Sequence, residues 1–222
     1  ENGFLFNRLS NSENTVKGPY VYQVVIMIIL SLPIFSLFGE VNQEIVKGVL
    51  DPEALKQLLE IDAKTTALHD YLLGIQDLPI LILSILGIAV IPGIGEELVF
   101  RGVFQNLFKK STQNKHVAIW LAAFVFSAIH LEFSNFFLRL LIGGLFGYMY
   151  DWTKNIYVPI IAHVTYNSSS LIFGYLFTNE LLDPSWNESS LESNTWMYIL
   201  IFSFVPISLI YRFYKKTRSN VV

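Results

Sequence analysis

The chain is 222 residues long, 53% hydrophobic and only 15% charged, with a mean hydropathy of +0.48, whereas a soluble domain carries about 25% charged residues. Its formal net charge of −3 leaves no basic stripe to neutralise phosphates, which excludes nucleic acid as a partner. The absence of cysteine removes disulfides, thiolate metal sites and thiol nucleophiles at once. These bounds describe a multi-pass integral membrane protein in contact with the lipid bilayer.

Residues 1–19 read as a polar juxtamembrane leader ending at Gly18-Pro19. Residues 20–38 are apolar over nearly their full length, enough for a first transmembrane helix, with a kink expected at Pro33. From 40 to 77, acids, Lys and Leu alternate at helical spacing, and Asp51-Pro52-Glu53 has the form of a helix start. The region 20–77 is therefore expected to be one membrane helix followed by amphipathic helices at the surface.

Residues 78–108 are apolar again, interrupted by Pro92-Gly93-Ile94-Gly95. At about 1.5 Å per residue this run would be near 46 Å long, so it crosses once as a tilted, broken helix or passes twice. Further spans are expected over 117–130, 136–150 and 156–177; Gly143, Gly144 and Gly147 give the middle one a small-residue face for close packing. Residues 78–178 then form the core, and 179–222 an exposed acidic loop (179–194), a last membrane helix (196–214) and a basic tail. The expected fold class is all-α: a polytopic transmembrane helical bundle, broken at the Glu-Glu motif and flanked by surface amphipathic helices.

Basic residues near the span ends give an orientation. Arg8, Lys17, the loop carrying Lys109, Lys110 and Lys115, Lys154, and the tail with Arg212, Lys215, Lys216 and Arg218 are assigned to the cytoplasm. The C-terminus is then cytoplasmic, and 40–77 and 179–194 lie outside. This holds if 78–108 crosses once.

The chemistry concentrates where charge is most costly. Glu96, Glu97 and Arg101 sit in one of the most apolar parts of the chain, and a carboxylate taken out of water costs several kcal/mol unless paired. Glu97 and Arg101 are four apart with the acid first, the favourable order for an ion pair, while Glu96 projects about 100° away. One glutamate can be structural and the other free. Two histidines, His130 and His163, lie in or at the edge of apolar spans, and Asn167 shares a helix face with His163. Arg139 is expected to pair with Glu132 or snorkel to the interface; His69 and His116 need no special role.

A carboxylate of raised pKa and an imidazole can together deprotonate water, and a His and an Asn can donate to the oxyanion of a tetrahedral intermediate. That is amide hydrolysis without a covalent acyl-enzyme. Zinc is a competing use of two His and a Glu, although no His-Glu-x-x-His is present. No cofactor and no bound metal are expected.

Glu96-Glu97-x-x-x-Arg101, Phe126-x-x-x-His130 and His163-x-x-x-Asn167, in this order on hydrophobic helices, resemble the three motifs of the CPBP family: CAAX proteases and bacteriocin-processing enzymes, also called Rce1-like or ABI-family intramembrane glutamate endopeptidases. Phe100-Arg101-Gly102 and the run from Val158 to His163 fit the same pattern. The resemblance covers about residues 78–175. It implies a metal-independent membrane protease in which Glu96 and His130 activate water, His163 and Asn167 form the oxyanion hole, and Glu97 and Arg101 support the site. It also implies a peptide or membrane-associated protein as substrate. Eukaryotic members cut prenylated Cys-a-a-X proteins; the compact length and polar leader look more like a prokaryotic member of the cell membrane, so a prenylated substrate is not transferred.

Three other readings share these residues: a non-catalytic immunity or scaffold protein of the same fold, a zinc-dependent membrane protease, and a proton-coupled transporter using the Glu pair as a relay. No inverted repeat supports the last. The sequence leaves the oligomeric state open.

Overall fold

In lipid every backbone N–H and C=O must find a partner within its own segment or in a neighbouring element, so long apolar runs fold as helices. The computed structural model describes residues 18–183, 197, 199 and 203–219, and every regular element among them is helical. Helix α1 spans Gly18–Val49 and α2 spans Pro52–Leu73. A single 35-residue helix, α3, follows at Leu78–Thr112. Then come α4 (Lys115–Ala128), a 3-10 turn (Phe133–Asn135), α5 (Phe136–Thr153), α6 (Tyr157–Thr178) and α7 (Phe204–Ser219).

Several boundaries differ from those expected. Helix α1 runs through Pro33 and on to Val49, so residues 40–49 continue the first helix and do not start a separate surface element. Helix α2 starts as its sequence predicts: Asp51 accepts from the N–H groups of Glu53 and Ala54, and Pro52 fills a position where no donor is needed. The interruption expected at Pro92–Gly95 takes the form of two π-helical stretches, Ile85–Val90 and Leu98–Phe104, on either side of the Glu pair. Within them Ile91 N–H bonds to Leu86 O and Gln105 N–H to Phe100 O. Proline lacks a donor, and the wider turns absorb that without cutting the helix. The alternative of two passes over 78–108 is thereby replaced by one element.

Helices α1 and α3 are each long and apolar enough to cross a membrane, while α4 is apolar but shorter. The expected loop 179–194 and last span 196–214 lie largely or partly outside the described residues. The outward residues of α3, among them Ile82, Leu83, Leu86, Ile91 and Val103, are exposed and apolar, as a lipid-facing surface requires. Inward, Val24, Met27 and Ile28 of α1 pack with Ile142, Phe146 and Met149 of α5, Val158 and Ala162 of α6, and Phe213 of α7.

Two sets of glycines bring the site-bearing helices together. A Cβ on Gly144 would lie 2.8 Å from Trp120, and one on Gly147 2.8 Å from Ile119, so α4 and α5 meet through the small-residue face that the sequence predicts. A Cβ on Gly93 would lie 3.0 Å from Val164 Cγ2, so the turn of α3 before the Glu pair rests against the turn of α6 after His163.

Candidate active site

Glu97 and Arg101 are the most deeply buried charges, at 0% and 1% exposure. Arg101 Nη1 donates to Glu97 Oε1 at 2.7 Å and Nη2 to the Gly143 carbonyl at 2.7 Å. The guanidinium carbon also stands 5.3 Å from the centre of the Phe126 ring and 5.7 Å from that of Phe146. An isolated charge here would be prohibitive; the ion pair, the carbonyl and the two aromatic faces together compensate it. The expected ion pair is present, and the Arg101 bond to the Gly143 carbonyl ties α3 to α5.

His163 of α6 bridges the two glutamates. Its Nδ1 lies 2.8 Å from Glu97 Oε1, and its Nε2 lies 3.7 Å from Glu96 Oε2. His130, in the turn that closes α4, donates from Nδ1 to the Phe126 carbonyl at 2.6 Å, and its Nε2 lies 3.9 Å from the same Glu96 oxygen. Phe126 is the common packing partner: its ring centre is 4.9 Å from that of His130 and 5.8 Å from that of His163, edge-on to both. Sequence motifs far apart on the chain thus meet on three helices.

The tautomers follow from the partners. A carbonyl and a carboxylate only accept, so both imidazoles carry a proton on Nδ1. When neutral, each then presents a lone pair at Nε2 toward Glu96 Oε2, which is buried and has no hydrogen-bond partner among the described residues. Three acceptor atoms face one another with no donor of their own.

Asn167, one turn beyond His163, is partly buried, and its amide makes no hydrogen bond to the cluster among the described residues. Arg139 pairs with Glu132, as expected. His116 lies at the opposite end of α4 from His130, with Nδ1 2.8 Å from the Tyr148 hydroxyl; the side chain of His69 is outside the described set. Among the described residues no group of three or more His, Asp or Glu side chains is arranged to hold a metal ion.

Sequence reasoning gave no part to Asn42 and Asp62. Both are buried, at 2% and 6% exposure, and both bond to the turn that follows His130. Asp62 sits in a helix rich in charges, where the pattern reads as a solvated face. Only its contact with residues about seventy positions away distinguishes it.

Among the described residues, fold and site together define an all-helical membrane bundle with a glutamate, histidine and arginine cluster enclosed between its helices. Residues 78–169 match the family model for type II CAAX prenyl endopeptidase Rce1-like proteins, and this central segment, which carries Glu96, Glu97, Arg101, His130, His163 and Asn167, is Rce1-like. Among curated relatives, the chain is 31% identical over 124 residues to the membrane-embedded CAAX protease MroQ of Staphylococcus aureus, covering 54% of this chain and 47% of that protein. It is 30% identical over 99 residues to the putative membrane peptidase YdiL of Bacillus subtilis, covering 44% and 38%. It is also 36% identical over 72 residues to the uncharacterized protein YpbD of Bacillus subtilis, covering 31% and 33%. The chain thus spans about a third to a half of the length of these relatives. No solved structure matches it.

Proposed function

We propose that this protein is a metal-independent intramembrane endopeptidase that hydrolyses a peptide bond with water activated by Glu96 and His130. The observation that carries this reading is the unpartnered Glu96 Oε2, buried and within 4 Å of both Nε2 atoms. A water between Glu96 and His130 loses a proton to the carboxylate as its oxygen attacks the substrate carbonyl carbon, and the carbonyl electron pair moves onto oxygen. His163, protonated at Nε2 while Glu97 holds its Nδ1 proton, donates to that oxyanion, with the Asn167 amide as second donor. The oxyanion collapses, the C–N bond breaks, and Glu96 returns its proton to the departing amine. Glu97 and Arg101 never leave their pairing; they fix the His163 ring.

The substrate is a peptide or membrane-associated protein, consistent with the name of the staphylococcal relative. Purified protein in proteoliposomes should cleave either a farnesylated Cys-a-a-X peptide or an unprenylated membrane peptide, and cleavage should persist in EDTA and 1,10-phenanthroline. Full activity of Glu96→Gln would remove the reading and leave a non-catalytic binder. Zinc is the competing use of the same residue types; loss of cleavage in chelator with recovery on added zinc would establish it.

A further inference from the structure

We infer that Asn42 and Asp62, from helices outside the family-matched segment, are positioning residues that hold His130 against Glu96; this rests on the proposed hydrolysis. His130 ends α4, and the chain reverses immediately after it. Leu131 adopts a left-handed backbone conformation with φ 54°, unfavourable for a branched side chain. Such a conformation persists only where surrounding contacts over-determine it.

The loop is held from within by Glu132, which pairs with Arg139 and accepts from Asn135, and from outside the segment by α1 and α2. Asp62 Oδ1 accepts the Phe133 N–H at 3.0 Å, and Oδ2 accepts the Ser134 N–H at 2.9 Å. These are the free donors at the start of the 3-10 turn that opens into α5, so a carboxylate from another helix supplies the cap that the local sequence does not. Asn42 works from the other side: its Oδ1 accepts the Phe137 N–H at 3.2 Å, and its Nδ2 donates to the carbonyls of Phe133 and Ser134. Within the central segment, Ser127 Oγ donates to Phe136 O at 2.7 Å, tying the start of the loop to its end.

The consequence concerns one atom. Nε2 of His130 stands 3.9 Å from Glu96 Oε2, close enough for one water to touch both. His130 is joined on one side to α4 and on the other to a strained turn whose far end is clamped by Asn42 and Asp62. Releasing the clamp lets the turn relax toward ordinary backbone angles and carries the His130 ring with it. His163, on α6 and tied to Glu97, stays in place.

The test uses the full chain in proteoliposomes with Asp62→Ala, Asp62→Asn and Asn42→Ala. Carbethoxylation of His130 by diethyl pyrocarbonate is followed by mass spectrometry, with His116 as the reference in the same molecule. Asp62→Ala should raise the His130 to His116 rate ratio severalfold, lower kcat/KM by roughly ten- to a hundredfold, and move the acid-side midpoint of the pH profile. Asp62→Asn, which keeps one acceptor oxygen for two N–H donors and turns an NH2 group toward the other, should recover only part of both effects. A variant that merely reduces the folded fraction would scale the profile without moving its midpoint. An unchanged modification ratio and an unmoved midpoint in Asp62→Ala and Asn42→Ala would overturn the inference. Failure of the parent to cleave would instead strike at the hydrolase reading, and the modification ratio would still report on the clamp.

Discussion

At the scale of single residues, the two adjacent glutamates differ in what surrounds them, and this sets two different mutant phenotypes. Glu97→Gln or Arg101→Ala strands a buried charge and should lower stability by about 3–5 kcal/mol, measured as thermal unfolding in detergent. Glu96→Gln leaves the buried Glu97 to Arg101 pair intact; it should leave unfolding nearly unchanged while kcat falls at least about a thousandfold. On the proposed mechanism, Asn167→Ala should reduce kcat about a hundredfold at similar KM, as loss of one oxyanion donor does. Equal stability losses for the two Glu→Gln variants would refute the division of labour. The Glu97 to Arg101 pair was legible in the sequence because helical spacing alone brings those groups together. That one imidazole would touch both glutamates was not, because it depends on a contact across 66 residues.

At the scale of elements, the packing of α4 on α5 is set by glycines with no room to spare. Gly147→Ala pushes a methyl against Ile119 and the Gln105 side chain and should cost about 1–3 kcal/mol, while Gly87→Ala meets nothing within 4 Å and should be neutral or slightly stabilising. Similar losses for both variants would mean that close packing is not what Gly147 provides. The ends of α3, α4 and α5 are joined by Asp151, which faces Lys109 at 3.7 Å, Lys115 at 3.3 Å, and Lys154. Burial pushes the Asp151 carboxyl up, but the hydrogen bond from Lys154 and the charges of Lys154 and Lys115 outweigh it and hold the group below its usual value of 3.8. A depressed carboxyl stabilises the fold fully above the unfolded value and loses that contribution as pH falls through the folded one. Parent protein should therefore lose stability relative to Asp151→Asn as the pH is lowered below about 4. The small-residue face of α5 was readable as a pattern; the π-helical stretches of α3 were not, since Pro92 announces a disturbance without fixing its geometry.

At the scale of the whole molecule, the two ends of the bundle carry different chemistry. One end gathers Lys109, Lys115 and Lys154 around Asp151; the other gathers Asn42 and Asp62 around the turn after His130. Because α3 is one helix, its basic end at residues 109–112 and its start beside α2 belong to opposite ends of the bundle. Helix α6 is less easily read as a span, since the polar groups it brings to the site, His163, Thr165 and Asn167, dilute its apolar character. The chain contains no cysteine, so single replacements map sidedness without background. Gln57→Cys on α2 and Ser111→Cys near the end of α3 replace exposed positions outside the cluster. In intact cells a membrane-impermeant maleimide should label Gln57→Cys and spare Ser111→Cys until the membrane is opened. The lysine end is then cytoplasmic and His130 lies toward the outer end of the bundle, so substrate approaches the Glu96 pocket from the external half of the bilayer. The reverse labelling would turn the molecule over, place that approach on the cytoplasmic side, and show that the lysines around Asp151 serve to neutralise it without setting the orientation.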